Sequence, residues 1–494
     1  MSSVLSPRRF AAASLAAGCL LVGAALVSPG MAGPSVHPNT VVAPGQTARM
    51  GAVATALTDP LAHPEGPGAP THVTESGGST GEGLLWLTMD APGTSWQSTT
   101  ETAEVVQVAV DGGQPQQIVL FDGSIPFTYE GFLGPLRTGS HTVDLTVRQD
   151  LSHTAVPRPV RVESLRLVVV PTSSPDYLAE AYAPVLYGRE ASGHAYTPLL
   201  TDVADTALAD GSHRLDYVYV ISAHDQGDSI VPAYQWGLWG RMTDIVSMFS
   251  ETVAPGGTVT RATYASCGCE DVPGFPDSVM APQETTAPFA GTWYGTHPVL
   301  RDATATNYLS DRGTTAYRFQ QAPVAAPGPA DLRDAVMDQH PWTYEISNEE
   351  LPREHPIDTS PRTPLVGDYR QYAVIDADLS VTGASAVEVD IQLAGGTTWY
   401  SSDYRQTASV PTTFPFHTGG HWRTVVKLPT DWAGRAISGL RLRLDAPPGQ
   451  DVPRVTVHSV RVLEVTPDWT VVSRHTPPMQ VVTGTALVPV APPD

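Results

Sequence analysis

Lysine is almost absent from this chain of 494 residues, in which Lys427 is the only one and arginine supplies the other basic side chains. Acidic residues outnumber basic residues by 50 to 28, which gives a formal net charge of −22. A protein with this charge and no basic cluster lacks the positive surface that binds a phosphate backbone. The composition therefore argues against a nucleic-acid-binding protein.

Cysteine is also scarce, and the zinc-protease signature His-Glu-x-x-His does not occur. Two of the three cysteines, Cys267 and Cys269, are separated by one residue. In an exported protein they would be oxidised, and a disulfide closed over a single residue would be strained. We expect this disulfide to stiffen its loop, with a redox role or a soft-metal site as the alternatives.

The first 32 residues have the pattern of a signal peptide. Arg8 and Arg9 provide a positive start, residues 10–27 are an uncharged apolar run, and Gly30-Met-Ala32 has small residues at the cleavage spacing. A run of this length is near the minimum for crossing a bilayer, so a membrane anchor is the alternative. The paired arginines resemble a twin-arginine signal. We expect an extracellular protein with no membrane-spanning anchor once the leader has been removed.

Hydrophobic alternation predicts a mainly all-β protein. Runs with period two, such as Leu215–Ile221, are typical of strands, and turn residues separate them. We predict a central β-rich domain flanked by two jelly-roll-like β-sandwich domains. The predicted boundaries are a flexible Pro/Gly/Thr-rich segment at 33–82, a first sandwich at 83–171, the central domain at 176–322, a Pro-rich linker at 323–368, a second sandwich at 369–467 and a tail at 468–494.

The two predicted sandwiches share sequence landmarks. Gly139-Ser-His-Thr-Val-Asp-Leu145 corresponds to residues 420–428, and Val162-Glu-Ser-Leu-Arg-Leu167 corresponds to Val457-His-Ser-Val-Arg-Val462. We interpret this as a duplication, with chance similarity between β-rich sequences as the alternative. In these segments both regions resemble the jelly-roll accessory domains of secreted carbohydrate-active enzymes. The resemblance implies glycan contact through exposed aromatic side chains.

Several aromatic residues are candidates for such a contact. Trp399, Tyr400 and Tyr404 lie close together in the second sandwich and would form a platform. Packing inside the sandwich or against the central domain is the alternative, because aromatic side chains are readily buried. Trp236 and Trp239 are the candidate binding residues of the central domain.

Three segments of the central domain carry a second resemblance. They are Tyr182-Ala-Pro-Val-Leu-Tyr187, Trp239-Gly-Arg-Met-Thr-Asp244 and His297-Pro-Val-Leu300. Together they resemble a family of uncharacterised secreted bacterial proteins and, more remotely, the vacuolar protein sorting 62-type domain. No established activity comes with this family, so the resemblance implies no catalytic residue.

Histidine and aspartate crowd together in the loop that follows the predicted strand at 215–221. Asp225 and Asp228 flank a glycine there and offer the carboxylate oxygens that Ca²⁺ prefers, with a solvated turn as the alternative. A zinc site from two histidines and a carboxylate is a further alternative. The candidate catalytic residues of the central domain are His224, Asp225, Asp228, Asp244, His297 and Asp311.

Two functions fit these observations. The first is a secreted polysaccharide-processing hydrolase that uses paired carboxylates of the central domain as acid and base. The second is a non-catalytic surface or glycan-binding protein whose β domains present contact area. The architecture favours the first and the missing catalytic motif favours the second. We therefore predict that the protein engages extracellular glycans and leave catalysis open.

Overall fold

Strands make up 55% and helices 8% of the residues that the structure describes, which confirms the predicted all-β class. The computed structural model describes residues 40–57, 73–74, 79–189, 197–223, 236–237, 239–268, 285–326, 334–354, 356–361, 363, 365–382, 385–402, 415–416, 420–445, 454–483 and 486–488. All of them belong to one compact unit, residues 36–494. The predicted signal peptide lies outside the described residues, and the predicted domain boundaries stay predictions.

The N-terminal part of the unit forms one nine-stranded sheet and a separate pair of short strands. Its strands are β1 (Thr40–Val42), β2 (Thr47–Leu57), β3 (Val73–Thr74), β4 (Thr80–Asp90), β5 (Glu101–Ala103), β6 (Val105–Val110), β7 (Gln116–Val119), β8 (Phe127–Arg137), β9 (Gly139–Val147), β10 (His153–Thr154) and β11 (Val160–Pro171). The strand order is β7-β6-β9-β2-β11-β4-β8, with β1 on β11 and β3 on β2, and β5 pairs separately with β10. We call this nine-stranded sheet the first sheet.

Strands β1 and β2 come from the segment at 33–82 that was predicted to be flexible. β2 lies inside the first sheet, where it pairs in parallel with β11 and antiparallel with β9. Its sequence consists largely of alanine and threonine, with one glycine. Along most of the strand, exposed residues alternate with residues that are only partly buried. Small side chains make the hydrophobic alternation weak, so the periodicity did not indicate a strand there.

The first sheet is extended by a segment from the central region. The backbone N–H of Phe132 donates to the carbonyl of Gln320 at 3.0 Å, and Gly131 forms an antiparallel bridge with Gln321. On the opposite edge, the Arg318 N–H donates to the Gln117 side-chain oxygen at 2.7 Å. Residues 318–322 therefore lie between β7 and β8 and join the two parts of the fold.

Two further sheets form the central region. Their strands are β12 (Val185–Tyr187), β13 (Pro198–Ala207), β14 (His213–Ile221), β15 (Asp244–Val253), β16 (Val259–Ser266), β17 (Thr285–Pro288), β18 (Trp293–Tyr294), β19 (His297–Asp302), β20 (Leu309–Ser310), β21 (Arg318–Phe319) and β22 (Pro323–Ala325). One sheet has the order β18-β19-β12-β21 with β20 on β19, and the other has the order β17-β16-β15-β14-β13-β22. Strands β12 and β19 are parallel, whereas β13 to β17 form an antiparallel meander.

Short helices connect the sheets. They are α1 (Tyr177–Ala181), α2 (Ala335–Gln339), α3 (Trp342–Glu354) and the 3₁₀ turn η1 (Tyr369–Gln371). The first sheet and the central region share one hydrophobic core, which we call the main core. α2 and α3 lie in the segment predicted as a Pro-rich linker. They bury four side chains in the main core: Val336, Met337, Tyr344 and Ile346. None of the helices in the described ranges is long and apolar enough to span a bilayer.

The C-terminal part has two sheets that share a separate core. Its strands are β23 (Tyr372–Thr382), β24 (Ser385–Leu393), β25 (Trp399–Ser401), β26 (Pro415–Phe416), β27 (Gly420–Lys427), β28 (Ile437–Asp445), β29 (Arg454–Val465), β30 (Val471–Arg474), β31 (Met479–Thr483) and β32 (Ala486–Val488). The orders are β27-β23-β29-β30 and β25-β24-β28-β31-β32, with β26 on β24. The sequence alternates along β23, so Ile375 faces this core while Tyr372 and Val374 face the main core.

Candidate functional site

Asp244 lies where the structure brings the ends of several central strands together. It begins β15 and pairs with Ile221 at the end of β14. The side-chain amide of Asn307 donates to Asp244 Oδ2 at 2.9 Å and to the carbonyl of Ala223 at 3.2 Å. Asn307 is fully buried and has a positive φ of 55°, a conformation that asparagine tolerates better than most residues. Asp244 therefore lies beside Ala223, at the end of β14.

The other described catalytic candidates have different surroundings. His297 is fully buried, its Nδ1 lies 2.8 Å from the carbonyl of Ala183, and its ring stacks on Phe132 at 4.2 Å. It begins β19, so it lies about 16 Å along the strand from Asp302, which begins the turn that holds Asn307. Asp311 accepts the N–H of Ala290 at 2.8 Å and supports a surface turn. No common site for His297, Asp244 and Asp311 emerges from these contacts.

A buried ion pair lies beside the Asn307 turn. Arg189 follows β12 and Asp302 ends the parallel strand β19, and Arg189 Nε is 3.8 Å from Asp302 Oδ2. Both side chains are almost fully buried. Sequence analysis did not single out this pair, because the two residues are adjacent only through the pairing of β12 with β19.

Several predicted site residues lie outside the described residues. These are His224, Asp225, Asp228, Cys269 and Tyr404, so the Ca²⁺ prediction stays a prediction. Among the described residues, no group of three or more histidine, cysteine, aspartate or glutamate side chains is placed to hold a metal ion. Cys267 is disulfide-bonded.

The described aromatic candidates are packed against protein. Trp236 is 1% exposed and stacks on Tyr372 at 4.2 Å, which joins the central region to β23. Trp239 is half-buried, with the guanidinium group of Arg241 5.8 Å from its ring. Packing therefore accounts for these contacts, and glycan binding by either ring stays a prediction.

The aromatic pair of the second sandwich is also partly covered. The guanidinium carbon of Arg441 lies 4.2 Å above the Trp399 ring, and Tyr400 packs on the core of that sandwich. Trp399 also covers Gly439, where an added Cβ would lie 2.6 Å from the ring. Both rings are half-buried. Their role as a binding platform stays a prediction.

A cleft lies between the first sheet and the central region. Its cavity volume is about 70 Å³, within about 670 Å³ of space that includes open solvent. Ligand-binding clefts often lie between domains. Its lining combines aromatic rings with amides and hydroxyls from β7, β8, β13, residues 319–324 and the start of α3: Gln116, Gln117, Ile118, Val119, Phe121, Phe127, Thr128, Tyr129, Glu130, Thr197, Pro198, Leu199, Leu200, Thr201, Phe319, Gln320, Gln321, Ala322, Val324 and Trp342.

Stacked aromatic rings form one side of the cleft. Trp342 lies parallel to Phe121, with ring centroids 5.8 Å apart and an interplanar angle of 4°. Phe127 approaches Trp342 at 4.9 Å, and Tyr129 approaches Phe121 at 5.1 Å. Trp342 is partly exposed, whereas the other three rings are buried. This side therefore presents one accessible indole ring that is supported from behind.

Four glutamines supply amide groups at the floor, and their hydrogen bonds hold them in place. Gln321 accepts the Thr201 hydroxyl at 3.0 Å and donates to the carbonyl of Pro198 at 2.6 Å. The side chains of Gln116 and Gln320 both donate to the carbonyl of Phe132, at 3.1 and 3.2 Å. Each amide still has donor or acceptor capacity beyond these bonds. The polar floor is therefore preorganised.

Two carboxyl groups near the aromatic side of the cleft have strongly raised pKa values. Burial raises the pKa of Asp122 to about 7, and the charges of Glu349 and Glu345 act in the same direction. Burial, followed by the charge of Glu345, also raises the pKa of Glu349 to about 7. The pKa of Glu345 is raised by burial as well. Asp122 and Glu349 are therefore partly protonated near neutral pH.

The sequence contained a weak signal for this cleft. Gln116-Gln117 precedes Phe121, and Gln320-Gln321 follows Phe319, so the same combination of paired amides and an aromatic residue occurs twice. Neither segment has the spacing of a known motif. Only the insertion of residues 318–322 between β7 and β8 brings them together.

Comparisons with known proteins do not identify the chain. No protein-family description matches it, and no curated protein matches it. Solved structures that resemble it are a ruminal GH26 endo-β-1,4-mannanase (10% identity, TM-score 0.16, covering 33% of this chain and 30% of that one) and the GH26-CBM35 β-(1,4)-mannanase of Podospora anserina (12%, 0.15, 28% and 29%). A third is the chemokine binding protein R17 of a rodent gammaherpesvirus (10%, 0.13, 88% and 86%). The chain spans less than a third of either mannanase, and likenesses at these TM-scores carry no argument.

Proposed function

We propose that this is an exported protein that binds an extracellular glycan in the cleft between the first sheet and the central region. The observation that carries the proposal is the partly exposed Trp342 ring, stacked on Phe121 beside a floor of fixed glutamine amides. Sugar rings present C–H groups that pack on aromatic faces, and their hydroxyls pair with amide groups. A cleft with both features fits a neutral oligosaccharide segment better than an anion, because the cleft lining contains no arginine or lysine.

The proposal concerns binding and contains no catalytic step. Asp244 and Asp311, the described carboxylates of the predicted catalytic set, have their hydrogen-bond partners in different places, at Asn307 and Ala290. Paired acid and base groups must lie about 5–10 Å apart across a sugar ring. Release of reducing ends from a bound polysaccharide would show that the hydrolase alternative is correct.

Replacement of Trp342 by alanine tests the proposal. We expect the change to weaken retention of the bound polysaccharide in affinity gels by about fivefold to a hundredfold, because stacking on one aromatic ring contributes on the order of 1–3 kcal/mol. Trp293→Ala is the matched control, since Trp293 is 38% exposed and does not line the cleft. Binding is measured against a panel of cell-wall and plant polysaccharides.

Two results would overturn this proposal. One is that the unaltered protein binds no polysaccharide of the panel, and the other is that Trp342→Ala binds as well as the control. Export is tested separately by N-terminal sequencing of protein from the culture medium, where we expect a start near Gly33. An intact N-terminus on cell-associated protein would contradict it.

A further inference from the structure

A second groove lies in the central region, where the start of β16 meets the segment that leads into β19. Residues from the ranges 257–262 and 289–296 line it together with Tyr182, and we call it the Trp293 groove. Its cavity volume is about 420 Å³, and it is open to solvent. Ligand sites commonly have volumes of about 300–1,000 Å³. Among the described residues, none lines both this groove and the cleft.

The groove contains an exposed indole ring that its neighbours hold in place. Phe289 and Phe249 approach the ring of Trp293 edge-to-face, with ring centroids at 5.3 and 6.4 Å. Trp293 also pairs with Pro298 in the ladder between β18 and β19. The residue is nevertheless 38% exposed, although tryptophan is highly buried on average. The groove therefore offers a fixed apolar surface on which a sugar ring can stack.

An arginine without a carboxylate partner lines the same groove. Arg261 immediately precedes Ala262, whose carbonyl accepts the N–H of Phe289 at 3.0 Å. The strand that carries Arg261 is thus joined directly to the segment that carries Trp293. Arg261 is exposed, and within the described ranges no carboxylate pairs with its guanidinium group. The groove combines a stacking surface with an uncommitted positive charge.

The described acidic side chains near the groove are engaged elsewhere or buried. Asp311 accepts the N–H of Ala290 at 2.8 Å and lies 3.8 Å from Arg312 Nε. Glu251 lies on the neighbouring strand β15, is 1% exposed and has a pKa that burial raises well above its ordinary value, which favours its neutral form. In a protein with a net charge of −22, the guanidinium group of Arg261 is therefore a point where an anion can bind.

Hydrogen bonds fix the rest of the groove lining. The Tyr182 hydroxyl donates to the carbonyl of Gly257 at 2.6 Å, and the Thr296 hydroxyl donates to the carbonyl of Ala181. Each hydroxyl oxygen keeps acceptor capacity beyond the bond that it donates. The groove is therefore preorganised and can accept hydrogen bonds from sugar hydroxyls.

We propose that the Trp293 groove binds an acidic glycan through a sugar unit that carries a carboxylate. The carboxylate pairs with the guanidinium group of Arg261, whose planar fork matches its two oxygens. The sugar ring packs on Trp293. The groove does not rest on the proposed function, because it shares no described lining residue with the cleft and its ligand differs in charge.

The test compares polygalacturonate with its methyl ester, which has the same sugar rings without the charge. We expect the unaltered protein to retain polygalacturonate in affinity gels and to retain the ester about tenfold less. Arg261→Gln should lower retention of polygalacturonate about tenfold and leave retention of the ester unchanged. Arg137→Gln is the matched control, because Arg137 is also exposed, its replacement removes the same charge, and it does not line the groove.

A second variant separates a sugar site from simple ion pairing. Trp293→Ala should lower retention of polygalacturonate about fivefold or more, because the stacking surface is lost. Poly(glycerol phosphate) carries anions without sugar rings, so we expect much weaker retention of this polymer. Neutral polysaccharides lack the carboxylate that Arg261 binds, and on them Trp293→Ala remains the control for the cleft.

Either of two results would overturn the inference. One is that Arg261→Gln and Arg137→Gln retain polygalacturonate equally well. The other is that the unaltered protein retains poly(glycerol phosphate) as strongly as polygalacturonate, which would show ion pairing alone.

The two sites fail in different ways. If retention of polygalacturonate depends on Arg261 and no neutral polysaccharide binds, the groove stands and the proposed function of the cleft is wrong. If neutral binding depends on Trp342 and polygalacturonate is not retained through Arg261, the proposed function stands and the groove is wrong.

Discussion

The central region joins its two neighbours through opposite charge arrangements. At the junction with the second sandwich, the buried guanidinium group of Arg423 lies between Asp376 and Asp338 and also donates to Tyr344. At the junction with the first sheet, α1 brings the fully buried Glu180 near Glu82, and within the described residues neither carboxyl oxygen of Glu180 has a hydrogen-bond partner. The junction with the second sandwich is held by paired charges. The junction with the first sheet depends on the Glu180 carboxyl group staying neutral.

This difference in charge predicts how each junction responds to pH. Burial, and then the charges of Glu82, Glu130 and Asp176, raise the pKa of Glu180 well above its ordinary value. A group of this kind destabilises the folded state as the pH rises, because the folded protein holds a proton that the unfolded chain releases. Burial lowers the pKa of Arg423, but the charges of Asp338, Tyr344 and Asp376 raise it well above its ordinary value, so the guanidinium group stays charged. Acidic conditions therefore favour the first-sheet junction.

Removal of the central cation should have the largest effect. We expect Arg423→Ala to lower the free energy of unfolding by about 3–5 kcal/mol, because Asp376 and Asp338 would be left buried without their partner. Urea unfolding at neutral pH measures the change. The control is Arg435→Ala, which removes an exposed pair with Asp431 and should cost less than about 0.5 kcal/mol. Equal losses in the two variants would contradict the comparison.

Neutralising Glu180 should have an effect of opposite sign. We expect Glu180→Gln to raise the free energy of unfolding near pH 8 by about 1 kcal/mol or more, because the amide never has to ionise in the core. Near pH 4, where the native carboxyl group is neutral in both states, the variant should gain nothing. Urea unfolding at both pH values checks this. A gain that is the same at both would show that Glu180 does not titrate with folding.

The smallest expected effect comes from the edge of the Arg423 network. The Tyr344 hydroxyl donates to Asp338 at 2.7 Å and accepts from Arg423 at 3.1 Å. Replacing it with phenylalanine removes both bonds and should cost about 1 kcal/mol, independent of pH between about 5 and 8. Unfolding of Tyr344→Phe alone and combined with Arg423→Ala measures the coupling. Fully additive losses would show that the hydroxyl is not part of the network.

Strands with clear alternation were predictable residue by residue. The predicted strand Leu215–Ile221 lies within β14. In a half-buried strand every second side chain faces the core, so hydrophobic residues alternate with polar residues along the sequence. Where that contrast is weak, as in β2, or where an element is short, as in α1, the pattern did not indicate the element.

The candidate site was less predictable. Asp244 lies at the base of the predicted loop, but His297 serves the core and Asp311 supports a separate turn. Residue type suggested chemistry for all three, whereas their partners come from distant positions such as Asn307 and Ala183. A sequence pattern cannot report contacts between residues that are separated by 63 or 114 positions.

By itself, the sequence determined the all-β class, the position of the strand at 215–221 and the acidic character of the protein, because these depend on local periodicity and on composition. Tertiary structure alone decided the cleft. Its aromatic side, amide floor and nearby carboxyl groups come from residues near 116–130, 197–201, 319–324 and 342–349, which share no local pattern. They meet only because residues 318–322 enter the edge of the first sheet and α3 docks beside them, and such long-range packing has no signature within any one segment.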